Sequence, residues 1–322
     1  MNTPDRPPLA SGAVERDAET RMTEEALSAA WREPEARVLR IRGQEIPVVE
    51  QHDGPRLALV ATRGEYALER DSDAGAAPHT VQHLFLGRVA GAPVFATPIE
   101  PDADPDPDSD GHAEAAVAWR HPFEVGGSLS DAERELVAIA TGLVRWHEAA
   151  AYSPRDGSIT RPMQGGWARV DERGGELFPR TDPAVIVLIE HDDRVLLGSN
   201  ALWENDRFSL LAGFVETGES LEDAVRREVF EESGVRLGDV SYVASQPWPF
   251  PRSLMLGFRA RLADGVDPDH LVPAPDEISE LRWFTRDELR DPRALTLPRS
   301  LSIAGWMLSR WLEEDTDGGE RG

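Results

Sequence analysis

Gly213-Phe-Val-Glu-Thr-Gly-Glu-Ser-Leu-Glu-Asp-Ala-Val-Arg-Arg-Glu-Val-Phe-Glu-Glu-Ser-Gly-Val235 is the stretch that decides how this chain is read. It sets Glu228, Glu231 and Glu232 within one turn of an expected helix, where positions three and four apart are neighbours. With Glu228 at zero on a helical wheel, Glu232 falls at about 40° and Glu231 at about −60°. Leu221, Ala224 and Val225 fall in the same sector, the one that faces a core, whereas Glu222, Asp223, Arg226 and Ser233 fall opposite. The spacing therefore predicts three carboxylates on the inward stripe. A buried, unpaired carboxylate is costly, and three together repel one another. A hard divalent cation such as Mg²⁺ or Mn²⁺, which takes oxygen ligands and bridges carboxylates to phosphates, resolves both problems. The plainer alternative is a solvated acidic helix end with Arg227 and Glu231 as an i,i+4 pair. The wheel phase and the flanking glycines favour the metal.

The segment resembles a complete Nudix box, with Gly213, Glu219, Arg227, Glu228, Glu231, Glu232 and Gly234 at the fixed positions. The resemblance implies a hydrolase of nucleoside diphosphates linked to another moiety, with the box helix holding catalytic metal. A second segment, Ser245-Gln-Pro-Trp-Pro-Phe-Pro-Arg-Ser253, is similar to the signature of the NADH pyrophosphatase subgroup. Its prolines fix φ and cannot donate to a ladder, so they hold a stiff segment presenting Trp248 and Phe250. Gln246 and Ser253 offer hydrogen bonds, and aromatic rings suit a planar base. The alternative is a Pro-rich connection with two core aromatics.

Composition sets the bounds. The 322 residues favour two domains, and 40% hydrophobic content supports real cores. No apolar run is long enough for a membrane span, and the first residues lack the pattern of a signal peptide. There is no cysteine, hence no disulfide, thiolate zinc site or cysteine nucleophile, and a cytoplasmic location is the expectation. The net charge of −25 argues against general nucleic-acid binding, which needs a positive surface.

The expected organisation is an N-terminal α+β domain over 1–140, a zinc-ribbon-like linker over 141–179, a Nudix domain over 180–314 and a disordered tail over 315–322. The first residues are expected to be partly disordered. Strands are expected within 37–48 and 55–70, and a hairpin from His83. The acidic stretch 101–110 reads as a solvated insertion. A calcium loop there lacks its bidentate Glu, because Val117 stands at the last position. Ser130 and Glu133 form a capping box that opens a helix over 130–150. The subgroup carries zinc-binding cysteines in the linker, where this chain has Ser153, Asp156 and the run Val170-Asp-Glu-Arg-Gly-Gly. These are poor tetrahedral ligands, so a zinc-free relic is expected, held by Tyr152, Trp167 and Phe178. His147 is expected to be structural. The order of strands and helices after 180 suits an α/β/α sandwich on a mixed sheet.

By resemblance, Glu228, Glu231 and Glu232 hold metal together with the carbonyl of Ala212 and with Glu277, for which Glu280 competes. Glu231 either completes the cluster or acts as base. Arg227 orients the carboxylates, and Glu219 fixes the box loop. Phe214, Ala304, the run Gln246, Pro247, Trp248, Pro249, Phe250, Pro251, Arg252 and Ser253, and Phe178 contact a dinucleotide. The implied reaction is hydrolysis of NADH or NAD⁺ to AMP and the mononucleotide, or removal of NAD caps from RNA, by a homodimer. A Nudix enzyme of other preference, such as for ADP-ribose, and an inactive NAD-binding regulator are the competing readings.

Overall fold

The computed structural model describes residues 3–70, 79–100, 117–203, 206–291 and 296–314. The acidic stretch 101–110 and the tail 315–322 lie outside the described residues. The chain divides into two compact units, one of residues 11–180 with 249–252, the other of residues 1–10, 181–248 and 253–322.

The first unit contains α1 (Glu24–Trp31), β1 (Arg37–Ile41), β2 (Ile46–Gln51), β3 (Gly54–Leu57), β4 (Val60–Ala61), β5 (Leu84–Val89), β6 (Ala92–Pro98) and β7 (Ala118–Arg120). It continues with α2 (Pro122–Val125), α3 (Asp131–Ala149), β8 (Thr160–Met163), β9 (Ala168–Asp171) and β10 (Glu176–Leu177). The sheet order β4-β1-β6-β5 includes the expected hairpin as β5–β6. Of the stretch 55–70, expected to contain strands, β3 and β4 take up the first part, and residues 63–68 join no strand. Ser130 and Glu133 cap α3 reciprocally, and the expected boundary at 140/141 falls inside this helix. One face of α3, with Leu136, Val137, Ala140, Leu143 and Val144, joins Leu39, Ile41, Leu84 and Leu86 in the core.

The linker forms its own sheet, β10-β9-β8. Of the expected aromatic packing only Trp167 is present, against the core of this unit, whereas Tyr152 and Phe178 are exposed. Polar bonds hold the linker. Asp171 is buried; its Oδ1 accepts from the amides of Arg173 and Gly175 at 3.0 and 2.7 Å, and its Oδ2 accepts from Ser153 Oγ at 3.3 Å. Arg173 pairs with Asp156 across the same two turns at 3.2 Å. His147 is structural as expected. Its Nε2–H donates to Gly166 O at 2.8 Å, and its Nδ1 accepts from Arg169 at 2.9 Å. Burial, then Arg169, lowers its pKa to about 3, so it is neutral.

The second unit contains β11 (Asp182–His191), β12 (Arg194–Asn200), β13 (Leu211–Phe214), α4 (Leu221–Ser233), β14 (Leu237–Trp248), β15 (Ser253–Leu262), β16 (Ile278–Thr285), α5 (Arg286–Arg290) and α6 (Ile303–Glu313). The sheet runs β14-β15-β11-β12-β16. It is mixed, with β11 parallel to β15 and the other pairs antiparallel. Alternation along β11 sorts two cores. Val185, Val187 and Ile189 face Ala224, Val225 and Val229 of α4, while Ile186 and Leu188 face Ile303, Trp306 and Met307 of α6. This is the α/β/α sandwich.

Residues 3–10, expected to be partly disordered, are packed. Trp306 Nε1–H donates to Pro4 O at 2.7 Å, and Leu9 is buried. An apolar residue and backbone carbonyls that meet partners far along the chain leave no local signal in a Pro-rich stretch.

Candidate active site

β11 divides one edge between two partners. Ile189–His191 pair with β12, and Ala184–Val187 pair with β13. The second pairing brings Ala212-Gly213-Phe214 to the start of the box loop, and the loop leads into α4. Ser220 caps the helix by accepting from Asp223 N. Gly234 ends it with φ of 71°, a left-handed conformation that favours glycine.

Arg227 lies at the centre of the box. Its Nε and Nη2 donate to the two oxygens of Glu219 at 2.8 Å each. Its Nη1 donates to Glu228 Oε1 and Glu231 Oε2 at 2.9 Å each, and Nη2 also reaches Phe214 O at 3.0 Å. The guanidinium is thus occupied within the box, as expected of an orienting residue. Arg227 holds the Glu219 carboxyl down at about 2. Glu219 Oε2 also accepts from Glu216 N at 3.1 Å, which closes the loop.

Glu232 differs from its neighbours. It is buried, and its Oε2 has no hydrogen-bond partner among the described residues. Burial pushes its carboxyl up to about 8, and Glu277, Glu228 and Glu231 push in the same direction against a hydrogen bond from Ala212 N–H. Glu228 is raised too, chiefly by burial. A Cβ at Gly213 would lie 1.9 Å from Glu228 Cδ, so only glycine lets that carboxyl sit here. The Glu277 charge acts on both Glu228 and Glu232, whereas Glu280, on β16, lies opposite Ser199 of β12. Ala201 N–H holds the Glu277 carbonyl at 2.8 Å, a support with no sequence signal.

Two residues depart from the wheel. Glu231 is exposed, its side chain at 57%, because the buried stripe of α4 centres on Ala224, Val225, Val229 and Glu232 and leaves it at the edge. Ser233, assigned to the solvated face, is buried at the helix end, where its hydroxyl donates to Val229 O. Among the described residues no three His, Asp or Glu side chains converge into a finished metal cage. The donor set nonetheless fits a divalent cation. It offers an unpartnered carboxylate oxygen on Glu232, a second half-buried carboxylate in Glu228 and further negative charge from Glu231 and Glu277, against the single guanidinium of Arg227 that pairs with Glu228 and Glu231.

The expected dinucleotide contacts divide. Phe214 is exposed at 59% beside the box, and Phe178 is exposed. Gln246, Pro247 and Trp248 are not a loop but the end of β14, paired with Met255, Leu254 and Ser253. Gln246 is fully buried and its amide is occupied. Nε2 donates to Pro8 O at 2.7 Å and Leu301 O at 2.9 Å, and Oε1 accepts from Ile303 N at 2.7 Å. Ala304, on α6, lies in the core, and Ser253 is buried. Pro249 to Arg252 form the turn, where Phe250 packs 4.6 Å from Phe123.

Comparison with known proteins follows the same division. Residues 180–302 match the NUDIX domain family model, and residues 36–146 match the NADH pyrophosphatase-like rudimentary NUDIX domain. The chain is 41% identical over 323 aligned residues to the NAD-capped RNA hydrolase NudC of Mycobacterium bovis (strain BCG / Pasteur 1173P2), covering 95% of this chain and 94% of that protein. It is 40% identical, at the same coverage, to the protein of that name from Mycobacterium tuberculosis (strain ATCC 25177 / H37Ra). The NAD-capped RNA hydrolase NUDT12 of Homo sapiens is 38% identical over 201 residues, 57% of this chain and 43% of that protein.

Proposed function

The chain belongs to the NADH pyrophosphatase branch of the Nudix hydrolases, and we propose that it hydrolyses the pyrophosphate bond of NAD, as the free dinucleotide or as the 5′ cap of RNA. The observation that carries the reaction is the buried Glu232 carboxyl with its unpartnered Oε2, set beside Glu228 in a complete box. The names of relatives that align over nearly the whole chain support the substrate.

Glu228, Glu231, Glu232, Glu277 and the carbonyl of Ala212 would hold Mg²⁺ or Mn²⁺. The bound ion supplies positive charge against the pyrophosphate oxygens and Lewis acidity toward the attacking water. Arg227 keeps Glu228 and Glu231 oriented, and Glu219 keeps Arg227 in place. Glu231, exposed and reachable, accepts the proton of the attacking water. The water oxygen forms a new P–O bond, the P–O–P bridge breaks, and nicotinamide mononucleotide leaves together with AMP from the free dinucleotide or 5′-monophosphorylated RNA from the cap. Phe214 offers an open face to a base beside the box, Phe178 is a separate exposed ring in the N-terminal unit, and Trp248 lies at the strand end that leads to the turn. Gln246, Ser253 and Ala304 are buried, so any role toward the substrate is indirect. Zinc has no part in the proposal, and a cytoplasmic homodimer is its setting. Incubation with NADH, NAD⁺, ADP-ribose and NAD-capped RNA, followed by identification of the products, tests it. Preference for ADP-ribose over every NAD species would replace the proposed substrate.

A further inference from the structure

Trp167 follows the short turn Gln164–Gly166 in the N-terminal unit. Its Nε1–H donates to Phe85 O at 2.7 Å, which fixes the indole plane. Two guanidiniums lie over this ring, Cζ of Arg21 at 4.4 Å from the centroid and Cζ of Arg16 at 5.6 Å. Stacking uses the face of a guanidinium and leaves its in-plane N–H donors to other partners. Among the described residues neither side chain makes a hydrogen bond or ion pair, and Nη1 of Arg21 is closed off from solvent as well.

The nearby carboxylates do not fill these donors. Asp17 is the acid that acts on Arg21, and its Oδ2 is taken by Arg88 Nε at 2.7 Å and Thr20 Oγ1 at 2.6 Å. Glu135 is the acid that acts on Arg16, and it accepts from Ser11 Oγ at 2.7 Å, from Val14 N at 3.0 Å and from Gly12 N. Burial, and then the nearby charge of Arg16, lowers the pKa of Arg21. Among the described residues the two guanidiniums have no bonded anion, in a chain of net charge −25.

We propose that Arg16 and Arg21, held on Trp167, form a binding site for a phosphate group. Two guanidinium forks suit a tetrahedral oxyanion that can accept from both at once. The same chemistry is offered by a phosphodiester of single-stranded RNA and by a free phosphate or mononucleotide. The site stands on its own geometry and does not rest on the hydrolytic reading.

The test uses the full chain with EDTA, so that a metal-dependent site is silent. Binding of a fluorescein-labelled, 5′-phosphorylated hexaribonucleotide is followed by anisotropy over a range of salt, with inorganic phosphate and AMP as competitors. The double variant R16Q/R21Q should bind about tenfold more weakly, and its salt slope should fall by about 0.7 for each phosphate it no longer neutralises. R16Q alone, at an exposed position, should show part of the loss without any risk to folding. Displacement by inorganic phosphate would assign the site to free phosphate groups, and displacement by unlabelled RNA alone would assign it to the phosphodiester chain. Either upholds the proposal. Unchanged affinity and slope in folded variants would overturn it. So would a shift in sedimentation with phosphate and RNA binding intact, because the missing partner would then be a carboxylate of a second copy. Hydrolysis of free NADH by R16Q/R21Q should match the wild type, and absence of that activity in the wild type would count against the hydrolytic reading alone.

Discussion

The buried Glu232 carboxyl holds its proton more tightly in the fold than in the unfolded chain, and this has a measurable consequence. Its carboxyl sits at about 8 in the fold against 4.5 as a free side chain. Between these values the native state binds a proton that the unfolded chain has released, so folding stability falls as pH rises through that window. The stabilising contribution is complete below pH 4.5 and gone above about 8. Thermal melts in chelator should show Tm declining across this range, and Glu232→Gln should flatten the decline, with Glu228 leaving a residual slope of the same sign. The same variant should lose orders of magnitude in turnover while staying folded; turnover within a few-fold of wild type would remove Glu232 from the metal site. Gly213→Ala should push the Glu228 carboxyl from its place. A displacement of about 1 Å in a catalytic group costs roughly a hundredfold in rate, and kcat for NADH should fall on that order with Tm little changed. Helical phase made Glu228 and Glu232 legible in the sequence. It misplaced Glu231 and Ser233 because a wheel assumes one symmetric buried arc, whereas residues 272–274 also pack over the C-terminal end of α4, where Val272 N donates to Ser233 O at 2.9 Å.

At the scale of elements, capping chemistry is the most readable feature. Ser130 with Glu133, Ser220 and Gly234 each sit where local hydrogen bonding demands them, so α3 and α4 begin and end as expected. The aromatic, proline-rich signature reads as a loop in the sequence, yet its first half extends β14, since Pro247 lies in a strand at the sheet edge, where no ladder donor is required of it. Trp248→Ala should still lower kcat/KM for NADH by roughly five- to a hundredfold if a base stacks there. An equal loss toward a simple phosphodiester would mark Trp248 as a residue that holds the strand. The linker is legible only from its geometry, because Asp171 gathers donors from both turns and no periodicity announces such a hub. Asp171→Ala should lower Tm in chelator and in zinc alike. A variant rescued by added zinc would show a metal site in its place.

The whole molecule follows from two hydrophobic patterns. Alternation in β11 splits the catalytic core in two, and the apolar face of α3 closes the N-terminal unit. Both are visible as periodicity. The packing of residues 3–10 and the burial of Gln246 are not, since each depends on partners separated along the chain, such as Pro8 and Gln246. With a net charge of −25, the molecule can approach a pyrophosphate only where that charge is locally offset, which makes metal dependence the centre of the account. The most direct test is to incubate the full chain with NADH and Mg²⁺ or Mn²⁺ in ¹⁸O-labelled water and identify the products by mass spectrometry. The account predicts AMP and reduced nicotinamide mononucleotide in equal amounts, one of them carrying a single labelled oxygen. It predicts no products in EDTA and almost none with Glu232→Gln. Release of nicotinamide by cleavage of the glycosidic bond, or undiminished pyrophosphate hydrolysis in EDTA, would contradict it.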